Sequence, residues 1–202
     1  MACHWSFFFW FLESVAGKDT LLMGLCMFVG CFLGEMPFFY FGSRIVNKLG
    51  ASVCFDISMA CFAIQYFGYS HVIFPGNQYY VLILEVLQGP TFGLFYCAMT
   101  HVGQEYAVKA AVESKKVLAR GTSPIESEPL DPSQDKVYAT LQGVLAGCME
   151  GLGLGIGSFL SGFIIHHFGI RTMWSSAAWL AVVGVIFNGC CDVARWLARD
   201  LD

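Results

Sequence analysis

The chain has 202 residues, 56% of them hydrophobic and 16% aromatic but only 13% charged, with a formal net charge of -4 and a mean hydropathy of +0.61. So apolar a balance excludes an ordinary soluble domain and points to an integral membrane protein with the lipid bilayer as its solvent. Its charges fall in short stretches between apolar runs, so the net value gives no case for a nucleic-acid partner.

Residues 1–16, MACHWSFFFWFLESVA, are apolar and aromatic but fall short of the ~20 residues that an untilted crossing needs. The absence of a basic leading region, and Glu13 where a cleavage region would begin, argue against a signal peptide. The stretch reads as the latter part of a spanning helix, and the chain therefore as a fragment of a longer product. After a turn at Gly17-Lys18-Asp19, residues 20–41 form a second span with Glu35 and Pro37 toward its far end. Pro37 leaves the Leu33 carbonyl without its usual amide partner, which favours a kink. Residues 42–50, GSRIVNKLG, read as a tight basic loop, and 51–69 as a third span with Asp56 near its entry.

Pro75-Gly76 marks a turn within 71–78, and 79–102 is the fourth span, carrying Glu85, Gln88 and a Gly89-Pro90 break. Glu85 and Gln88 are three apart and share a helix face. Residues 104–136 are charged and proline-bearing, which predicts an aqueous loop with a short helix over 106–118. Residues 142–165, QGVLAGCMEGLGLGIGSFLSGFII, form the fifth span, HHFGIR a short loop, and 173–191 the sixth span. The organisation is thus a truncated first helix with spans two to four over 1–106, a flexible cytoplasmic loop over 107–135, and spans five and six with a cytoplasmic C-terminus over 136–202. Orientation follows from counting basic residues by side. Arg44, Lys48, Lys109, Lys115, Lys116, Arg120, Lys136, Arg195 and Arg199 lie on one side, with only Lys18 and Arg171 opposite, so the positive-inside rule makes the richer side cytoplasmic.

The fifth span is the most informative. Gly143, Gly147, Gly151 and Gly155 recur every four residues and stack on one face, predicting close approach of a neighbouring backbone. Gly153, Gly157 and Ser161 lie three, seven and eleven residues beyond Glu150, nearly on its face, so this carboxyl is expected to point into protein or a cavity rather than into lipid. Glu13, Glu35, Asp56, Glu85 and Glu150 all fall in or at the edges of apolar spans, whereas no lysine or arginine does. Away from water the charged form of a carboxyl is disfavoured, so such groups can exchange protons as a cavity wets and dries, or, ionised, hold a cationic substrate. Glu150 and Glu35 rank first, then Glu85, then Glu13, with Asp56 last because it reaches the interface. Gln88 and Thr91, beside the Gly89-Pro90 break, can bond a substrate or repair the helix.

Nine cysteines occur without a CxxC pair, and six of them sit inside apolar runs, so they read as small core residues. Cys190 and Cys191 are interface cysteines or palmitate acceptors. His166 and His167 are adjacent in a short loop without a third ligand, so no metal site is predicted. No cofactor signature is present either: the glycine run from Gly151 to Gly157 lacks the strand context of a phosphate loop. The chain has no G-x-S-x-G, no H-E-x-x-H and no paired intramembrane aspartates, which argues against an enzyme.

Two loops carry a resemblance. Ser43-Arg44-Ile45-Val46-Asn47-Lys48-Leu49-Gly50 resembles the G-x-x-x-D-R-x-G loop of the major facilitator superfamily, with Ser43, Asn47, Lys48 and Gly50 at its first glycine, acid, arginine and last glycine. The stretch from Gly162 to Gly169 repeats the skeleton after the fifth span, with His166 and His167 replacing the acid-base pair. Residues 9–13 (FWFLE), 34–39 (GEMPFF), 87–94 (LQGPTFGL) and 139–143 (ATLQG) are similar to the major facilitator domain six type, which is likened to lactose and nucleoside proton symporters. The resemblance implies an all-α polytopic membrane bundle, the six-helix C-terminal half of a major facilitator fold with its first helix truncated. It further implies a secondary carrier that moves a small-molecule substrate by rocker-switch alternating access, with proton coupling an added expectation. A lone half lacks the second wall of such a cavity, so transport requires the N-terminal half or a second copy. The competing reading is a membrane receptor or scaffold that binds partners through its helices and the 104–136 loop, where Ser123-Pro124 forms a candidate phosphosite.

Overall fold

The computed structural model describes residues 2–119 and 132–199, and all regular structure among them is helical. Among the described residues six helices follow one another. They are α1 (Ala2–Ala16), α2 (Thr20–Leu49), α3 (Ala51–His71), α4 (starting at Gln78 and ending in the segment Phe95–Ala119), α5 (starting in the segment Pro132–Ala146 and ending at Phe168) and α6 (Ile170–Arg199). The last five are long and apolar enough to cross a membrane, whereas α1, at 15 residues, is not. The 107–135 stretch is helical on both flanks of the undescribed residues 120–131, which include Ser123-Pro124.

The expected loops at 42–50 and in HHFGIR are corrected. Helix α2 runs to Leu49 and α5 to Phe168, and each turn is made at one glycine, Gly50 with φ 85° and Gly169 with φ 88°. Only glycine adopts that backbone freely, so one residue suffices to stop one helix and start the next.

Three of the helices contain π-helical turns: Val29–Glu35 in α2, Gly89–Leu94 in α4 and Gly147–Gly153 in α5. In a π turn a carbonyl meets the amide five residues on, as in the bond from the Met36 amide to the Cys31 carbonyl. This geometry lets a chain step past a residue without an N–H, and Pro37 and Pro90 lie just after and within the first two turns. The kink expected at Pro37 is thus a π segment.

The core is aromatic. Phe8, Phe11 and Leu12 of α1, Phe62, Tyr66 and Tyr69 of α3, and Met173, Trp174 and Ala178 of α6 are all buried together. Tyr69 and Trp174 meet edge to face, with ring centroids 5.0 Å apart, a favoured arrangement for such pairs. Arg171 pins the far end of α3 by donating to the Ser70 and Ile73 carbonyls, both at 2.8 Å, while its guanidinium lies 4.1 Å from the Phe74 ring centroid. The Ser70 carbonyl belongs to the last turn of α3, where a helix leaves its acceptors unused, and Ile73 lies two residues beyond its end. At the opposite end, Asn188 of α6 donates to Asp56 at 2.8 Å and to the Ser52 hydroxyl at 3.1 Å.

Helix α5 is the exception to this packing: among its described residues only Ser161 is buried. The expected close approach along Gly143, Gly147, Gly151 and Gly155 is not made within the described residues, since a Cβ on any of them would meet nothing within 4 Å. Gly153 would meet only the Cys148 carbonyl of its own helix, and of the six glycines named above only Gly157 is in contact with another helix, against Ala2. The reason is that the stripe faces outward, away from α1, α3 and α6. Tight helix crossings occur elsewhere: a Cβ on Gly89 would fall on the Gly34 carbonyl and the Phe38 ring, and one on Gly42 on the Cys97 sulfur.

Candidate functional site

Within the apolar bundle α3 and α4 bring one polar group together. Gln65 and Tyr69 are one turn apart on α3, and the Gln65 amide donates to the Tyr69 hydroxyl at 2.8 Å. The same amide donates to the Gln88 side-chain oxygen Oε1 of α4 at 3.3 Å, and the Tyr69 hydroxyl donates to Glu85 at 2.5 Å. Glu85 is 3% exposed, Gln88 7%, and Gln65 and Tyr69 are fully buried. Such a chain is stable in a core only when its members answer one another, because each unpaired group there costs about 1–3 kcal/mol. The Gln65 carbonyl oxygen is the member left without a partner.

Glu85 and Gln88 also face a cavity of about 30 Å³. Its other walls include Glu35 of α2 and His4 of α1, so two carboxyls, an amide and an imidazole surround space for one or two waters. His4 stacks on Phe8 at 4.7 Å between centroids, and its Nδ1 is buried without a hydrogen-bond partner. Among the described residues the salt bridge present joins Lys109 to Glu105 at 2.7 Å and does not involve this group. Among the described residues Glu85 therefore has a hydrogen-bond donor in Tyr69 but no cation.

The positions singled out from the sequence separate. Glu35, Glu85 and Gln88 meet at the small cavity. The Thr91 hydroxyl donates to the Leu87 and Gln88 carbonyls of its own helix at 2.9 and 3.1 Å, so it is turned to its own backbone. Glu13 is exposed at the end of α1, away from this group, and Asp56 is engaged by Asn188. Glu150 lies apart, on the wall of a cavity of about 700 Å³ with Gly153, Gly157 and Ser161. Ser43, Asn47 and Lys48 are exposed on the last turns of α2; Gly162 approaches Phe7, and the His166 and His167 rings lie 4.8 Å apart on the exposed end of α5. No metal-binding cluster occurs among the described residues. The site members that sequence reasoning passed over are His4, Gln65 and Tyr69. Gln65 and Tyr69 had a signal, a polar pair four residues apart in an apolar span, whereas His4 had none beyond its place in a short aromatic run.

The sequence model of the MFS_1 like family matches residues 1–116, more than half of the chain. The chain belongs to the MFS_1 like family. Relatives within the major facilitator superfamily agree. The chain is similar to mouse (Mus musculus) major facilitator superfamily domain-containing protein 6-like, 25% identical over 193 residues, covering 95% of this chain and 25% of that protein. It is similar to the human (Homo sapiens) protein of that name, 23% identical over 194 residues, 96% of this chain and 26% of that protein. The Xenopus laevis 6-like protein B matches over 171 residues at 23% identity, 85% of this chain and 23% of that protein. The chain thus spans about a quarter of the length of these curated relatives. No solved structure matches it. Family and fold together make this a multi-pass helical membrane protein.

Proposed function

We propose that this chain forms one six-helix half of a secondary carrier that moves a small solute by alternating access and exchanges a proton at Glu85. The observation that carries the reading is the environment of that carboxyl. It is 3% exposed, takes a hydrogen bond from Tyr69, has no cationic partner among the described residues, and borders a small cavity shared with Glu35. An acid sited at mid-bundle is costly in lipid unless it works or is neutralised, and it gains or loses its proton according to whether water reaches it. Opening the α2–α4 crossing at Gly34 and Gly89 would admit that water; closing it would restore the dry contact. A second six-helix unit, in a longer chain or as a second copy, supplies the opposing wall of the transport path.

Infrared difference spectroscopy of the full chain in lipid, cycled between two pH values, tests the assignment without knowledge of the solute. A carboxyl carbonyl band that follows pH is expected, absent in Glu85→Gln and unchanged in Glu13→Gln. A band that persists in Glu85→Gln would place proton exchange elsewhere. For the carrier reading itself, a screen for solute-driven alkalinisation of the medium by expressing cells is expected to yield at least one active solute, with the response lost in Glu85→Gln.

A further inference from the structure

Helix α5 leaves a large space where it should pack. Its face toward the bundle carries Gly153, Gly157 and Ser161, which leave the space before α3 and α6 unfilled, and the gap is the cavity of about 700 Å³. That volume lies within the range of small-molecule sites, roughly 300–1,000 Å³. Aromatic rings form much of the facing wall: Trp5 of α1, Phe62 and Tyr66 of α3, and Phe92 and Phe95 of α4. The remainder is aliphatic, methionine, alanine, glycine and serine with the Cys3 thiol and Glu150, and no lysine, arginine or histidine.

Two groups in this wall lack full partners. Glu150 carries the single carboxyl in the lining, and among the described residues no hydrogen bond or ion pair reaches it. The Tyr66 hydroxyl, on a residue that is 3% exposed, has only the weakly bonding Cys3 thiol beside it and makes no full hydrogen bond. An acid and an unsatisfied hydroxyl, set among ring faces, match one ligand chemistry. A protonated amine carries the opposite charge, donates N–H groups to both oxygens, and is attracted to the faces of Trp, Tyr and Phe.

We infer that the cavity between α5 and the α1–α3–α6 core is a binding site for a hydrophobic organic monocation, an aromatic or alkyl ammonium, with Glu150 as its counter-ion. Glu150 is separate from the Glu85 group, and the inference does not depend on the carrier reading. An acyl chain would fill the apolar part of the space equally well but would leave both polar groups unanswered.

Three probes on one frame separate these outcomes: 1-naphthylmethylammonium, 1-naphthylmethanol and 1-naphthoate, measured by equilibrium dialysis against the full chain in detergent micelles, with protein-free micelles subtracted. The ammonium is expected to bind about threefold or more tighter than the alcohol, the scale of one charge contact at an exposed margin, and the carboxylate weakest. That preference should vanish in Glu150→Gln and survive in Glu150→Asp, with Trp5→Leu weakening the ammonium more than the alcohol. Glu150 is exposed at the cavity margin, so its replacement leaves the core intact, and an unchanged elution volume checks this. Equal binding of ammonium and alcohol, or a preference that outlasts Glu150→Gln, overturns the inference and leaves an apolar space suited to lipid.

Discussion

A single hydroxyl, that of Tyr69, ties the buried polar group together. It accepts from Gln65 and donates to Glu85, so Tyr69→Phe deletes both bonds, strands a Glu85 oxygen in the core and leaves the Gln65 amide only its bond to Gln88. The expected cost is about 1–3 kcal/mol per stranded group, read as a lower midpoint of thermal aggregation in detergent, and Gln65→Leu in the same background should recover part of it. Thr91→Val, by contrast, removes bonds made only to carbonyls of its own helix, so a smaller fall is expected in the same assay. Much of this group was legible beforehand. Glu35, Glu85 and Gln88 stand out because polar groups in apolar spans are costly, and their spacing fixes the face they share. Which of the acids would meet was not legible, since Glu150 ranked above Glu85 by depth in its span, and only the relative rotation of α3 and α4 decides that Gln65 and Tyr69 turn toward Glu85. His4 was hidden because a stub of helix gives no measure of its own depth.

Each of the three π turns lies at or beside an acid: Glu35 ends the first, Glu85 precedes the second by four residues, and Glu150 lies within the third. π turns loosen the local ladder and cluster at working sites, which suits segments that must shift against a neighbour. The sequence shows the cause of the first two in Pro37 and Pro90, but the third has glycines alone, and its turn is not readable from them. The glycines divide by what they meet. Gly89→Ala puts a methyl onto the Gly34 carbonyl and is expected to lower the yield of folded protein sharply, whereas Gly143→Ala meets open space and should be tolerated in this chain. Size-exclusion profiles of the two variants check the contrast. Gly50, at φ 85°, is the other demanding position, and Gly50→Ala should cost about 1–3 kcal/mol through backbone strain, seen as faster proteolysis at the α2–α3 turn. Helix ends were the part of the fold read least well. The polar face of the last turns of α2 looks like a loop by composition, yet its residues continue the helix until Gly50 permits the turn.

Across the whole molecule, helix count and class were legible because lipid forces the backbone to satisfy itself within each segment. The arrangement of the helices was not, since small outward-facing glycines and small packed glycines look alike in sequence. Orientation rests on the uneven distribution of lysine and arginine. An epitope inserted after Gly76 is expected to be reached by antibody on intact cells, and one after Lys109 only after permeabilisation; the reverse pattern would invert the bundle. The near-absence of burial along α5 bears on how the bundle assembles. Helices α3 and α6 press together along their length, with Met59 3.7 Å from where a Cβ on Gly184 would sit, and that contact can close without α5. During biogenesis α5 should therefore enter the bilayer on its own apolarity and dock last. Cysteines placed at Met59 and Gly184 should cross-link early in a pulse-chase, and a pair at Ala2 and Gly157 only later, the fifth helix arriving as a door hung on a finished frame.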